Sequence, residues 1–202
     1  MPRTRRSIKA AQQLYEANLA LLGPDHPDTL DSMAAVAQEY ENHRAFQSAL
    51  PLRVAVFSRR RAIWGEADYA TMRANYLLAL TYYWMKDYQS ARDIQEDVLD
   101  RFIMRYGYDD EVTLGAMVNL SNTLFRLGDF EGASELQERA LKTSRGLNGA
   151  HDLMTLRIMQ GLALSKRRCG EPQDADRLEE DVKRFNVERI TERLRARRLR
   201  SK

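Results

Sequence analysis

The stretch NLSNTLFRLGDF at residues 119–130 decides the fold. Leu120 and Leu124 are four residues apart, about one helical turn, so they share a helix face. Gly128 follows as a helix stop, Asp129 as a cap for the next helix, and Phe130 opens a second apolar pattern. The segment therefore reads as the turn of a helix pair. Working outward, its landmarks recur. Thr29, Thr71, Thr113 and Thr155 stand 42 residues apart, each with a glycine six residues before it: Gly23, Gly65, Gly107 and Gly149. With each threonine as position 0, position 7 holds Val36, Leu78, Leu120 and Leu162, and position 8 holds Ala37, Ala79, Ser121 and Ala163. Position 20 holds Ala49, Ala91, Ala133 and Ala175, position 23 Leu52, Ile94, Leu136 and Leu178, and position 27 Val56, Val98, Ala140 and Val182. The register runs through three intervals without an insertion, as in an array of repeats.

Each repeat contains two helical stretches. Positions 1, 4, 7, 8 and 11 make the apolar face of the first, and positions 20, 23 and 27 that of the second. Small residues at 8 and 20 allow two helices to approach closely. One pair cannot bury both of its faces; stacked pairs can, so a solenoid is expected. No segment alternates with period 2 between turn signals, so strands are not expected.

Leu at position 7, Ala at 8, a large residue at 11 (Tyr40, Tyr82, Leu124), an aromatic at 17 (Phe46, Tyr88, Phe130) and Ala at 20 resemble the tetratricopeptide repeat signature. The eight residues beyond the usual 34 follow position 27, lengthening the second helix and its loop. This 42-residue form resembles kinesin light chain repeats and the C-terminal arrays of bacterial and fungal signalling NTPases with an NB-ARC-type module. LGPDHPDTL at 22–30 and NLSNTLFRLGDF at 119–130 carry the resemblance, which covers roughly residues 8–185. Repeat four departs from it, with Lys166 at position 11 and Pro172 at 17. Kinesin-light-chain-like repeats often carry Asn at positions 5 and 6; here only Asn119 occupies one of them, and Asn75 sits one place early.

The expected fold is all-α: a right-handed α-solenoid of about nine helices, with four pairs after one leading helix. The expected organisation is a single array. Residues 4–22 form a leading unpaired helix, either an N-terminal cap or the remnant of a longer array. Four repeats follow at 27–63, 68–105, 110–147 and 152–182, then a basic helical extension at 183–202. A first helix of about 16 residues would span roughly 24 Å at 1.5 Å per residue.

In such solenoids the first helices line the concave face, as the resemblance implies. Positions 2, 5, 9, 12 and 13 lie apart from the core face. They give Arg73, Tyr76, Tyr83 and Trp84 in repeat two, Asn122, Phe125 and Arg126 in repeat three, and Arg157, Arg167 and Arg168 in repeat four. Aromatics and arginines dominate binding hot spots. The expected function is a non-enzymatic scaffold whose groove takes a protein or peptide with acidic and apolar residues. Tyr83, Trp84 and Phe125 have a second reading, as core residues packed on a neighbouring helix.

The net charge of +3 is unevenly spread. Residues 183–202 hold nine Lys or Arg against two Glu, a local +7, which leaves the remainder at −4. Leu178, Val182 and Phe185 continue an apolar face, and Val187, Ile190 and Leu194 form another. This tail reads as a solvated cap, a protein contact, or a surface for nucleic acid or an acidic membrane. Self-association through an unpaired end helix is also open.

His26, His43 and His151 are far apart, without metal-ligand spacing. The pairs Glu179-Glu180 and Asp109-Asp110 read as solvated surface, and no Gly-x-x-x-x-Gly-Lys phosphate loop is present. No cofactor, metal or catalytic residue is expected. The one cysteine, Cys169, excludes a disulfide framework within the chain; it reads as a plain surface or packed thiol, in preference to one whose pKa is lowered by the neighbouring Arg167 and Arg168. No secretory leader or membrane-spanning run is read, so a cytoplasmic location is expected.

Overall fold

In a computed structural model the backbone is described for residues 2–200 and side chains for residues 7–191. Nine helices and no strand occur among the described residues. They are α1 (Pro2–Leu22), α2 (Pro27–Asn42), α3 (Phe46–Trp64), α4 (Tyr69–Trp84), α5 (Tyr88–Tyr106), α6 (Glu111–Leu127), α7 (Phe130–Asn148), α8 (Leu153–Arg168) and α9 (Pro172–Arg200). The first helices α2, α4 and α8 have 16 residues each and α6 has 17, whereas α3, α5 and α7 have 19. The extra residues of the period thus lengthen the second helix. The chain forms two compact units, Met1–Arg101 and Phe102–Lys202. In the first, α1 packs on α2, α2 on α3 and α3 on α4; in the second, α6 packs on α7, α7 on α8 and α8 on α9.

The repeat register is the packing register. All eight residues at positions 8 and 20 are 0 to 1% exposed, as are the four threonines at position 0. The large residues at positions 7 and 27 are buried beside them. Fully burying such a Leu or Val stabilises by about 1.5–3 kcal/mol. On α1, Leu14 also falls at position 27, yet it is 55% exposed. Its face is the one a paired first helix would cover.

Each first helix starts from the residue at position −3. The side chains of Asp68, Asp110 and Asp152 accept backbone N–H bonds from Thr71 at 2.9 Å, Val112 at 2.8 Å and Met154 at 2.7 Å. His26 does the same through Nδ1 with Asp28 N–H at 3.2 Å. Such caps satisfy donors that the helix leaves open. The threonine is therefore not the cap but the third helical residue, facing inward.

The turn inside each pair closes identically in all four repeats. The position-16 N–H donates to the carbonyl of position 11: Ala45 to Tyr40 at 2.8 Å, Asp87 to Tyr82 at 3.0 Å, Asp129 to Leu124 at 3.0 Å and Glu171 to Lys166 at 2.9 Å. This closure puts position 15 in the left-handed region. Gly128 and Gly170 supply it with φ 88° and 83°, but Arg44 and Lys86 adopt it too, with φ 58° and 66°. The glycines between repeats are under a tighter constraint. Gly65 and Gly149 have φ 80° and 87° with ψ 173° and 166°, a region that essentially only glycine occupies.

Lys166, which interrupts the apolar pattern of repeat four, is held by carboxylates. Its Nζ lies 2.7 Å from Glu138 on α7 and 2.9 Å from Glu171 before α9. The hydrogen bonds to Glu138 and then Glu171 raise its pKa above the ordinary lysine value. A raised lysine pKa contributes stability below the unfolded value that is lost only as pH rises through the folded one, so the bridge holds through the neutral range.

Open space surrounds Gly149, so replacing it tests the backbone alone. Gly149→Ala is expected to lower unfolding free energy by about 1–3 kcal/mol, read from the urea midpoint with an unchanged slope.

Candidate partner-binding site

In the first unit, α2 and α4 flank α3, which supplies a charged floor. Arg53 and Arg60 are seven residues apart on α3 and are 2% and 7% exposed. Buried cations require partners. Arg53 Nε and Nη2 donate to Glu41 Oε1 and Oε2 at 2.9 and 2.6 Å, and Nη2 also reaches Gln38 Oε1 at 3.2 Å. Thr81 Oγ1 donates to the same carboxylate at 2.6 Å. Arg60 Nη2 pairs with Asp31 at 2.5 Å, and Nη1 donates to the Ala70 carbonyl at 3.0 Å. Arg60 Nε is buried without a partner among the described residues. Above this floor lies a hollow of about 230 Å³ lined by Asp31, Gln38, Arg53, Arg60, Arg73 and Leu77. The exposed Arg73 makes no ion pair among the described residues.

A second hollow of about 570 Å³ adjoins the turns of the same unit, lined by Gln38, Glu41, Arg44, Phe46, Leu80, Trp84 and Lys86 among others. Trp84 is 59% exposed and lies near-parallel to Phe46, with ring centroids 6.3 Å apart. Tyr83 is half-buried, edge-on to Trp84 at 5.3 Å and to Tyr88 at 5.4 Å. Of the two readings for these aromatics, Tyr83 therefore packs internally, whereas Trp84 keeps an open face. Tyr76 is half-buried on α4.

In the second unit, Asn122 on α6 and Arg157 on α8 come together around a hollow of about 290 Å³, with Val118, Gln137, Met154 and Gly161. Gly161 makes room there, since a Cβ would meet Gln137 Nε2 at 3.0 Å. Gln137 in turn accepts from Ser165 Oγ at 2.7 Å. Phe125 packs edge-on to Phe130 at 5.2 Å, and the Arg168 guanidinium lies 5.4 Å from the same Phe130 ring. Arg126 is exposed on α6.

Arg167 is engaged within the fold, with Nη2 on Asp176 at 2.6 Å and Glu179 at 3.0 Å. Glu179 is thus an ion-pair partner rather than plain solvated surface. In repeat one, Glu41 at position 12 pairs with Arg53 at position 24; in repeat four, Arg167 at 12 pairs with Glu179 at 24. The contact is the same with its charges reversed. The sequence reading missed Arg53 and Arg60, although position 24 borders the apolar face and an arginine there was the available signal.

Cys169 is half-buried, which matches the reading of a packed thiol. Burial, followed by Glu131 and Glu171, raises its pKa. The adjacent arginines do not offset this, because Arg167 is ion-paired and Arg168 lies over Phe130. In the tail, α9 is helical to Arg200. Phe185 packs on His151 at 4.9 Å, and Glu188 pairs with His151 at 3.0 Å. Val187 and Ile190 are exposed. The side chain of Leu194 and the strongly basic run from residue 192 lie outside the described residues. Among the described residues, no His, Cys, Asp or Glu cluster could hold a metal ion, and no helix is long and apolar enough to cross a membrane.

The tetratricopeptide repeat family model matches residues 70–145 and again 112–184, the second match starting one 42-residue period after the first. Together the matches span more than half of the chain. The chain belongs to the tetratricopeptide repeat family. Among solved structures, a kinesin-light-chain-like protein of Podosopora anserina with nearly identical tetratricopeptide-type repeats superposes with a TM-score of 0.84 at 18% identity, over 94% of this chain and 90% of that one. MamA gives 0.67 at 16% identity, over 94% of both chains. BtubC (BKLC) from P. vanneervenii gives 0.64 at 15% identity, over 93% of this chain and 92% of that one. At these identities the likeness concerns the fold, a solenoid of tetratricopeptide-type helix pairs. No curated protein matches the chain. Tetratricopeptide repeats generally mediate protein–protein interaction and typically serve as non-enzymatic scaffolds.

Two outcomes are expected from this geometry. Arg53→Met alone leaves the largely enclosed Glu41 carboxylate without its cation and is expected to cost about 3 kcal/mol of stability, the low end for a buried pair because Glu41 keeps some exposure and its bond from Thr81. In the Glu41→Gln/Arg53→Met double variant much of that loss returns, as a thermodynamic cycle by chemical denaturation would measure. Cys169 is expected to react with iodoacetamide at pH 8 several-fold more slowly than free cysteine, because its thiolate fraction is reduced.

Proposed function

We propose that this tetratricopeptide chain is a non-enzymatic adaptor whose first-helix face takes a peptide or protein segment carrying acidic and apolar residues. The observation that carries this reading is the pairing, in each unit, of an open hollow with a cation that no carboxylate among the described residues engages: Arg73 in the first unit and Arg157 in the second. A carboxylate brought by a partner would complete these sites at little cost, because the arginines are already at the surface. The exposed Trp84 indole supplies the large apolar contact that hot spots require. Arg167 contributes to the stability of repeat four, and Arg168 to the Phe130 cluster.

Affinity capture from native lysate tests the proposal, using the intact chain, a truncation after Val182, and the combined Tyr76→Ala, Trp84→Ala and Arg126→Ala variant. A protein partner is expected to survive truncation and to bind the triple variant at least tenfold more weakly, about 1.4 kcal/mol, with the cooperative melting transition retained. Nucleic acid that co-purifies and disappears on truncation would overturn the adaptor reading.

A further inference from the structure

Position 15 closes every intra-repeat turn in a conformation that favours glycine, and repeats three and four use glycine there. Repeats one and two instead place Arg44 and Lys86 at this position, with φ 58° and 66°. A side chain in the left-handed region is disfavoured, and strained backbone concentrates at functional sites. Both of these cations line one hollow of about 570 Å³, together with the exposed Trp84 and the half-buried Leu80. Neither makes an ion pair among the described residues. The one carboxylate in the lining, Glu41, is engaged by Arg53 and Thr81 and so does not neutralise them. Two strained cations thus flank an open indole that rests on Phe46.

We propose that this turn-edge hollow is a subsite for an acidic residue lying beside a large apolar one in a partner peptide. The carboxylate pairs with Arg44 and Lys86, and the apolar side chain packs on Trp84 and Leu80. Glycine at position 15 would close the turn with less strain but would offer no charge, so the retained strain serves recognition. The subsite rests on the adaptor reading above and specifies one part of its face.

A random dodecapeptide display library, selected separately on the intact chain and on the Arg44→Gly/Lys86→Gly variant, tests this. The glycines relieve strain, so the variant is expected to melt at the same temperature or about 2–4 °C higher per substitution. The intact chain is expected to enrich peptides with an acidic residue next to a large apolar one, and the variant to lose the acidic preference. Binding of the best selected peptide, followed by fluorescence anisotropy, should fall at least tenfold in the variant and weaken with salt in the intact chain. If the variant selects the same acidic peptides with equal affinity, the subsite is overturned while the adaptor reading stands. If the intact chain enriches no acidic-apolar peptide, both are overturned. A variant that melts lower overturns the premise that the two cations are held against backbone preference.

Discussion

The close approach of two helices at alanine is the contact on which every other part of this structure depends. Positions 8 and 20 are small in all four repeats, and all eight side chains are sealed from solvent. A larger residue at either position would push the helices apart or force neighbouring side chains off their rotamers, at about 1–3 kcal/mol. With the helices this close, the Val and Leu residues at positions 7 and 27 are buried beside the contact. The fully buried threonines belong to the same close-packed layer, three residues after the residue that caps their helix. Length, capping and spacing are therefore consequences of one steric requirement repeated every 42 residues.

The turns obey two different rules. Between repeats, Gly65 and Gly149 occupy a region closed to side chains, and the period keeps glycine there in every repeat. Within repeats, position 15 is left-handed but not closed, so an L-residue fits at a cost. Only a position of the second kind can vary in sequence without changing the fold. In this chain that freedom is used for cations in the first unit and for glycine in the second.

The fold was legible in the sequence because spacing alone specifies it. The 42-residue register of Thr, Gly and Ala marks helix faces and ends without reference to distant residues, and the observed helices follow it. The candidate site was legible only in part, because charge availability depends on contacts between helices. Arg167 looked like a groove residue until Asp176 and Glu179, nine and twelve residues further on, engaged it. Arg53 and Arg60 carried no signal in the apolar register, yet they line the hollow beside Arg73. Lys166 looked like a lapse in an apolar face and instead joins α7 to the start of α9. Cys169 had two arginines beside it in sequence, but burial and two glutamates outweigh them.

The reversed pair at positions 12 and 24 explains which charges remain for a partner. Glu41–Arg53 and Arg167–Glu179 meet the same geometric demand with opposite signs. That contact therefore selects for complementarity, not for a particular charge on the first-helix face. A residue at position 12 is consequently tied to its own repeat whenever position 24 carries the opposite sign. Position 2 differs among the repeats. Asp31 there is met by Arg60, whereas Arg73 and Arg157 meet no carboxylate among the described residues. Position 15 likewise makes no ion pair among the described residues in repeats one and two. The cations open to a partner thus sit where the repeat provides no counter-charge, and counting arginines on a face without tracing their partners overstates the charge that face presents.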